Sequence, residues 1–252
     1  MNTMNEVLAA VAAGTITPEE ASTLIETLRA QPVPVDSSTV NEIYIKAGGA
    51  RLIIIGDPSV AAASVDGHHR MEQQGGTLLI TTNRAEGQFS TTPPRSAFRS
   101  WLDSWVERAG QTLTVRINPD LPLRVLNVGG SLDLTGVRGG ASIGIEAGSA
   151  RLDSCAGALN LDVSSGSAKV NWVFSGASTI KVDMGSAHIV ALPGSDAVVT
   201  IDASLGQAVV RTADESYKTN GPDTAAPAVT AGTGAGTLAV TARMGSATVT
   251  VA

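Results

Sequence analysis

The feature that most constrains this 252-residue chain is a short string that keeps returning. Gly148-Ser149-Ala150-Arg151-Leu152 recurs as Gly166-Ser167-Ala168-Lys169-Val170, as Gly185-Ser186-Ala187-His188-Ile189, and as Gly245-Ser246-Ala247-Thr248-Val249; Gly206-Gln207-Ala208-Val209-Val210 is a degenerate copy. The successive glycines stand 18, 19, 21 and 39 residues apart, the last interval close to two periods. Between the copies lie other strand-like runs: Gly157 leads into Leu159, Leu161 and Val163, and Gly176 into Ser178, Ile180 and Val182. Gly130 and Gly140 open two earlier runs. A turn followed by a strand that alternates with period 2 gives a unit of about 9 residues, two units to a coil. A fixed period of this size points to a quasi-one-dimensional architecture in which each rung bonds only its neighbours. The expected fold is therefore all-β, a β-solenoid over residues 40–252.

In such a rung the constant Ala fits a narrow interior edge, and Leu152, Val170 and Ile189 stack inside as an aliphatic ladder. Arg151, Lys169 and His188 then point outward along one face. Earlier in the chain, VNEIYIKAG, ARLIIIG and GTLLITTN read as strands, as does LTVRINPDLPLRVLNV (113–128) with Pro119 and Pro122 in the turn between its two halves. Residues 212–236 are small and polar and read as a long exposed loop.

The front of the chain has a different period. Val7, Leu8 and Val11 are helically spaced and Gly14 stops that run; Thr17, Pro18 and Glu20 then form an N-cap, a first helical position and a capping box. Ala21, Leu24, Ile25 and Leu28 continue an apolar stripe. Residues 1–30 are thus expected to form an α-helical hairpin, followed by a Pro-containing linker over 31–39. So short a hairpin cannot cover its own stripe of Val7, Leu8, Val11, Leu24, Ile25 and Leu28. Self-association through that stripe, giving a homo-oligomer, is the expectation.

Composition narrows the function classes. Aromatics are only 3% and charged residues 16%, while the net charge is −6. An acidic balance argues against nucleic acid, which requires a basic face against its phosphates. Cys155, the single cysteine, excludes an internal disulfide framework and reads as a small buried hydrophobe. The N-terminus lacks a basic stretch ahead of an apolar run, and no stretch approaches the ~20 apolar residues of a membrane span. A cytoplasmic protein, with peripheral membrane contact as the alternative, is expected.

No constellation in the sequence points to catalysis, a cofactor or a metal. Gly140-Ala141-Ser142-Ile143-Gly144 fits G-x-S-x-G, but that motif needs a helix behind it and repeat strands flank it here. His68, His69 and His188 show no catalytic or zinc spacing, and Asp66-Gly67-His68-His69 reads as a turn. Gly232-Thr233-Gly234-Ala235-Gly236 lacks the following helix of a phosphate cradle. The segment with most functional interest is 96–109, where Phe98, Trp101, Leu102, Trp105 and Val106 share one helical face. Two readings of it stay open: a cap over an open end or face of the repeat domain, or an aromatic contact for a membrane or a protein partner.

The order of these motifs resembles the toastrack family, bacterial β-strand-repeat proteins of adhesin type: GTLLI, the LTVRINPDLPLRV turn, the successive Gly-Ser-Ala strands, ALPGSDAVV and the closing repeat. Residues 13–21 resemble the SHOCT-like bihelical module fused to such domains. The resemblance implies a non-enzymatic scaffold or interaction protein with an unidentified protein partner, linked to envelope stress as in LiaX-like proteins. The alternative is a peripheral membrane sensor using Phe98, Trp101, Leu102 and Trp105. Family repeats often carry Ser-Gly-Asp; Ala stands in place of the Asp here, which removes an outward acidic ladder.

Overall fold

A computed structural model describes residues 37–82, 112–221 and 227–251, together with Thr17. After a 3-10 turn at Ser37–Thr39, the first five strands are β1 (Glu42–Gly48), β2 (Arg51–Gly56), β3 (Ala63–Asp66), β4 (His69–Gln74) and β5 (Thr77–Thr82). The central strands are β6 (Thr112–Ile117), β7 (Leu123–Thr135), β8 (Ala141–Gly157), β9 (Leu159–Phe174) and β10 (Ala177–Ala191). The last six are β11 (Ala197–Ala203), β12 (Gln207–Arg211), β13 (Ser216–Thr219), β14 (Val229–Ala231), β15 (Gly236–Ala242) and β16 (Ser246–Val251). All sixteen join one mixed sheet.

The long strands explain the repeat. In β8 the residues Ala141, Ile143 and Ile145 are buried, residues 146–149 are all exposed, and burial resumes at Ala150 and Leu152. The buried set thus changes parity at Gly148, so the strand bends there while both of its halves keep apolar side chains inside. The connections show how far it bends. Gly157 ends β8, a single residue follows, and Leu159 already pairs in parallel with Ala141, the first residue of β8. A rung of 17 residues can return to its own start in that way only if its second half folds back across its first. Each long strand therefore contributes to two ladders, one before the glycine bend and one after it.

The first ladder runs β5, β1, then the leading halves of β7, β8, β9 and β10, then β15 and β11. The second runs β6, β2, the trailing halves of the same four strands, β16 and β12. All of these pairs are parallel. Each ladder ends at both edges in an antiparallel strand: β4 and β14 close the first, β3 and β13 the second.

A glycine column makes the bend possible. A Cβ on Gly148 would collide with the carbonyl oxygen of Gly130, and one on Gly166 with that of Gly148. Both also have positive φ, 125° and 138°, where an L side chain is strained. Behind that column, Ala150, Ala168, Ala187, Ala247 and Ala208 are buried in register. Leu152, Val170, Ile189, Val249 and Val210 form the next buried row. Trp172 and Phe174 are fully buried at the end of β9, and the Trp172 indole N–H donates to the Gly157 carbonyl at 2.9 Å.

Three expectations need correction. The chain is all-β among its described residues, but it is not the β-solenoid of 9-residue strands expected from the repeat. The central strands run 13 to 17 residues without interruption, bending at their glycines rather than ending there. The sheet is also mixed, and its strand order departs from chain order because β15 and β16 insert between β10 and the β11–β12 rung. The expected α-helical hairpin over 1–30 lies outside the described residues, and no α-helix occurs among them. Residues 212–236, expected as a loop, supply β13 and β14.

Candidate functional site

Period-2 alternation fixes what the second ladder shows to solvent. With Ala150 and Leu152 inside, Ser149 and Arg151 face out, and the parallel register repeats that choice on every rung. Ser131, Ser149, Ser167, Ser186 and Ser246 form one outward column beside the glycine bend. Asp133, Arg151, Lys169, His188 and Thr248 form the next. The two columns line a groove of about 440 Å³ that crosses five rungs.

The charges in the groove are unevenly matched. Arg51 donates to Asp133 at 2.9 Å and closes one end of the row. The Arg151 guanidinium lies 3.4 Å from Asp153, which also accepts from the Asn171 amide at 3.2 Å. Those bonds, Asn171 first and Arg151 after it, hold the Asp153 carboxyl below the usual carboxylate range. Lys169 and His188 have no ion pair among the described residues. Lys169 stands directly opposite Arg151 in register, an arrangement that a purely structural ladder would avoid.

Near the end of β8, Cys155 is buried and its thiol donates to the Asp153 carbonyl at 3.2 Å; burial pushes its pKa up. It is a packing residue, as its sequence context suggests. Ser142 of the G-x-S-x-G string lies inside β8 opposite Arg124 and Asn160, so no strand-turn-helix elbow forms. No group of three or more His, Cys, Asp or Glu among the described residues is placed to hold a metal.

The Gly232–Gly236 string does hold an anion, but one from its own chain. The Gly234 and Ala235 amides donate to Asp196 Oδ1 at 2.6 and 3.0 Å, and the Thr233 hydroxyl reaches both carboxylate oxygens. The Ala235 amide first, then the Thr233 hydroxyl, hold the Asp196 carboxyl below its ordinary range. That cradle is filled.

Phe98, Trp101, Leu102 and Trp105 lie outside the described residues, as do Val7, Leu8, Val11, Leu24, Ile25 and Leu28. The glycine-bend edge carries Met184, Met244 and Leu205, each immediately before a bend glycine and 54%, 59% and 82% exposed. From sequence, Arg151, Lys169 and His188 are read as one outward face. The serine column beside them is missed because each Ser sits next to a Gly and reads as turn chemistry; its recurrence at a fixed place on five rungs was the available signal.

No family model matches the chain, and no curated protein matches its sequence. A crystal structure described as "a putative cell adhesion protein" from Clostridium sporogenes ATCC 15579 aligns over 86% of this chain and 96% of its own, with 12% identity and a TM-score of 0.45. At that level the likeness transfers no function.

Proposed function

We propose that this chain is a non-enzymatic interaction protein whose rigid paired ladders present the outer groove of the second ladder to a ligand or partner. The observation that carries this reading is the basic column, Arg151 directly opposite Lys169 with His188 on the next rung. Like charges in direct cross-strand register cost stability, and proteins keep such local conflicts mainly where function needs them. The order of toastrack-like motifs supports the same reading and suggests an envelope-stress setting. Lys169→Gln, which removes the charge and keeps a polar side chain, is expected to raise the melting temperature by about 1–3 °C in the absence of ligand. A fall in melting temperature would make Lys169 a structural residue and remove the argument.

A second reading has its own observation. Met184, Met244 and Leu205 sit on adjacent rungs of the glycine-bend edge and form an exposed apolar ridge. Contact of that edge with a membrane interface would cover it, and Phe98, Trp101, Leu102 and Trp105 are proposed as a further contact of the same kind. Sedimentation with anionic vesicles tests this: the intact chain should pellet, and Met184→Ser/Leu205→Ser/Met244→Ser should remain in solution. Failure of the intact chain to pellet removes the reading. Self-association through residues 1–30 is likewise a proposal, tested by light scattering for a mass at least twice 25.6 kDa.

A further inference from the structure

The groove has a spacing as well as a charge. Its columns run across the strands, so equivalent groups recur at the inter-strand distance of about 4.8 Å. That rise is close to that of one pyranose unit in an extended polysaccharide. Along the groove a repeating ligand would meet the same pair of groups at each step: a serine hydroxyl, able both to donate and to accept, and beside it a basic side chain on three consecutive rungs. Serine hydroxyls suit sugar hydroxyls, and Arg and Lys suit carboxylates. Among the described residues, no Phe, Tyr or Trp lines the groove for a neutral sugar to stack on. Charge must therefore supply much of the affinity.

Resting on the interaction reading above, we propose that the groove binds a linear acidic polysaccharide lying across the strands, one sugar to a rung, with Ser149, Ser167 and Ser186 on its hydroxyls and Arg151 and Lys169 on its carboxylates. Three features favour this over a site for any anion. The serine column is continuous over five rungs, longer than the basic one. The floor between the columns is backbone, since Leu132, Ala150, Ala168 and Ala187 turn their side chains inward, leaving room for a ring. Asp133, held by Arg51, closes one end of the basic row, so a chain that covers the whole serine column meets hydroxyls there rather than a cation.

The test is calorimetry on the full chain with polygalacturonate, neutral dextran and polyphosphate at matched chain length, repeated at low and physiological salt. Polygalacturonate should bind, more weakly as salt rises, while dextran and polyphosphate bind at least about tenfold less tightly. Arg151→Ser/Lys169→Ser and Ser149→Ala/Ser167→Ala/Ser186→Ala should each lower the affinity for polygalacturonate by about tenfold or more. Lys181→Ser, which removes an exposed charge from the first ladder, should leave that affinity unchanged. Equal binding of dextran, equal binding of polyphosphate, no binding of polygalacturonate, or loss with Lys181→Ser as large as with the groove variants would each overturn the assignment. The ligand-free melting of Lys169→Gln is independent of all these outcomes, so a wrong ligand class and a wrong site remain distinguishable.

Discussion

In the central rungs, β7 to β10, one stretch of chain supplies both ladders and bends once at a glycine, and each of these rungs pairs with the next in sequence. At the two ends each rung is assembled from separate strands. β1 and β2 are joined through Gly48, Gly49 and Ala50, whereas β5 and β6 are separated by residues 83–111. The interior rows nevertheless continue without a break, one from Leu52 through Ala150 to Ala208 and one from Ile54 through Leu152 to Val210. The comparison separates two requirements that the repeat merges. The inward pattern is needed on every rung, while the Gly-Ser-Ala bend is needed only where the chain must turn back at once.

The largest expected effect lies in the central rungs. Trp172→Ala should cost about 3–5 kcal/mol in chemical denaturation, because a fully buried indole leaves a cavity under β8 to β10. A cost below about 1 kcal/mol would mean that the end rungs hold the molecule together. Next is a pair of glycine variants. Gly166→Ala should lose about 2–4 kcal/mol from overpacking against the Gly148 backbone and from positive φ. Gly75→Ala, in the β4–β5 hairpin with open space around it, should lose only about 1 kcal/mol from its φ of 60°. Equal losses would abolish the distinction between bend and hairpin glycines.

A smaller effect, of opposite sign, is expected inside the first ladder. Asn127 is fully buried with both side-chain polar atoms unpartnered, in a row that otherwise carries Ala47 and Ile145. Asn127→Val should stabilise the protein by about 1–3 kcal/mol by removing unsatisfied groups. Destabilisation would show that the amide is needed there.

The smallest effect is electrostatic. Because the folded Asp196 pKa is depressed, its stabilising contribution is present above the unfolded value of about 3.9 and is lost as pH falls through the folded value. The melting difference between wild type and Asp196→Asn should therefore shrink as pH drops below about 4. A constant difference would assign Asp196 a purely steric role.

The same two regions show what sequence can carry. The inward rows and the outward placement of Arg151, Lys169 and His188 were legible, since alternation and a fixed period encode them directly. The four strands that close the ladders were not. β3 (ASVD), β4 (HRMEQQ) and β13 (SYKT) bury little, and β14 (VTA) has three residues. A closing strand must be short or polar, because an apolar one would invite another chain to pair. The property that lets such a strand end a sheet also removes its hydrophobic signature. The groove was half legible for a related reason: a charge on a repeat draws notice, whereas a serine beside a glycine looks like part of a turn.

The insertion of β15 and β16 between β10 and the β11–β12 rung also has a consequence in time. Rungs β7 to β10 can be laid down in the order in which the chain is made. β11 and β12 cannot, since the strands they rest on come later in sequence, and they have no parallel partner until β15 and β16 have docked on β10. Such non-local closure is slow relative to neighbour-on-neighbour growth. The newly made molecule thus passes through a stage with a finished middle and an open flank, and its last strands act as the keystone that ends that stage.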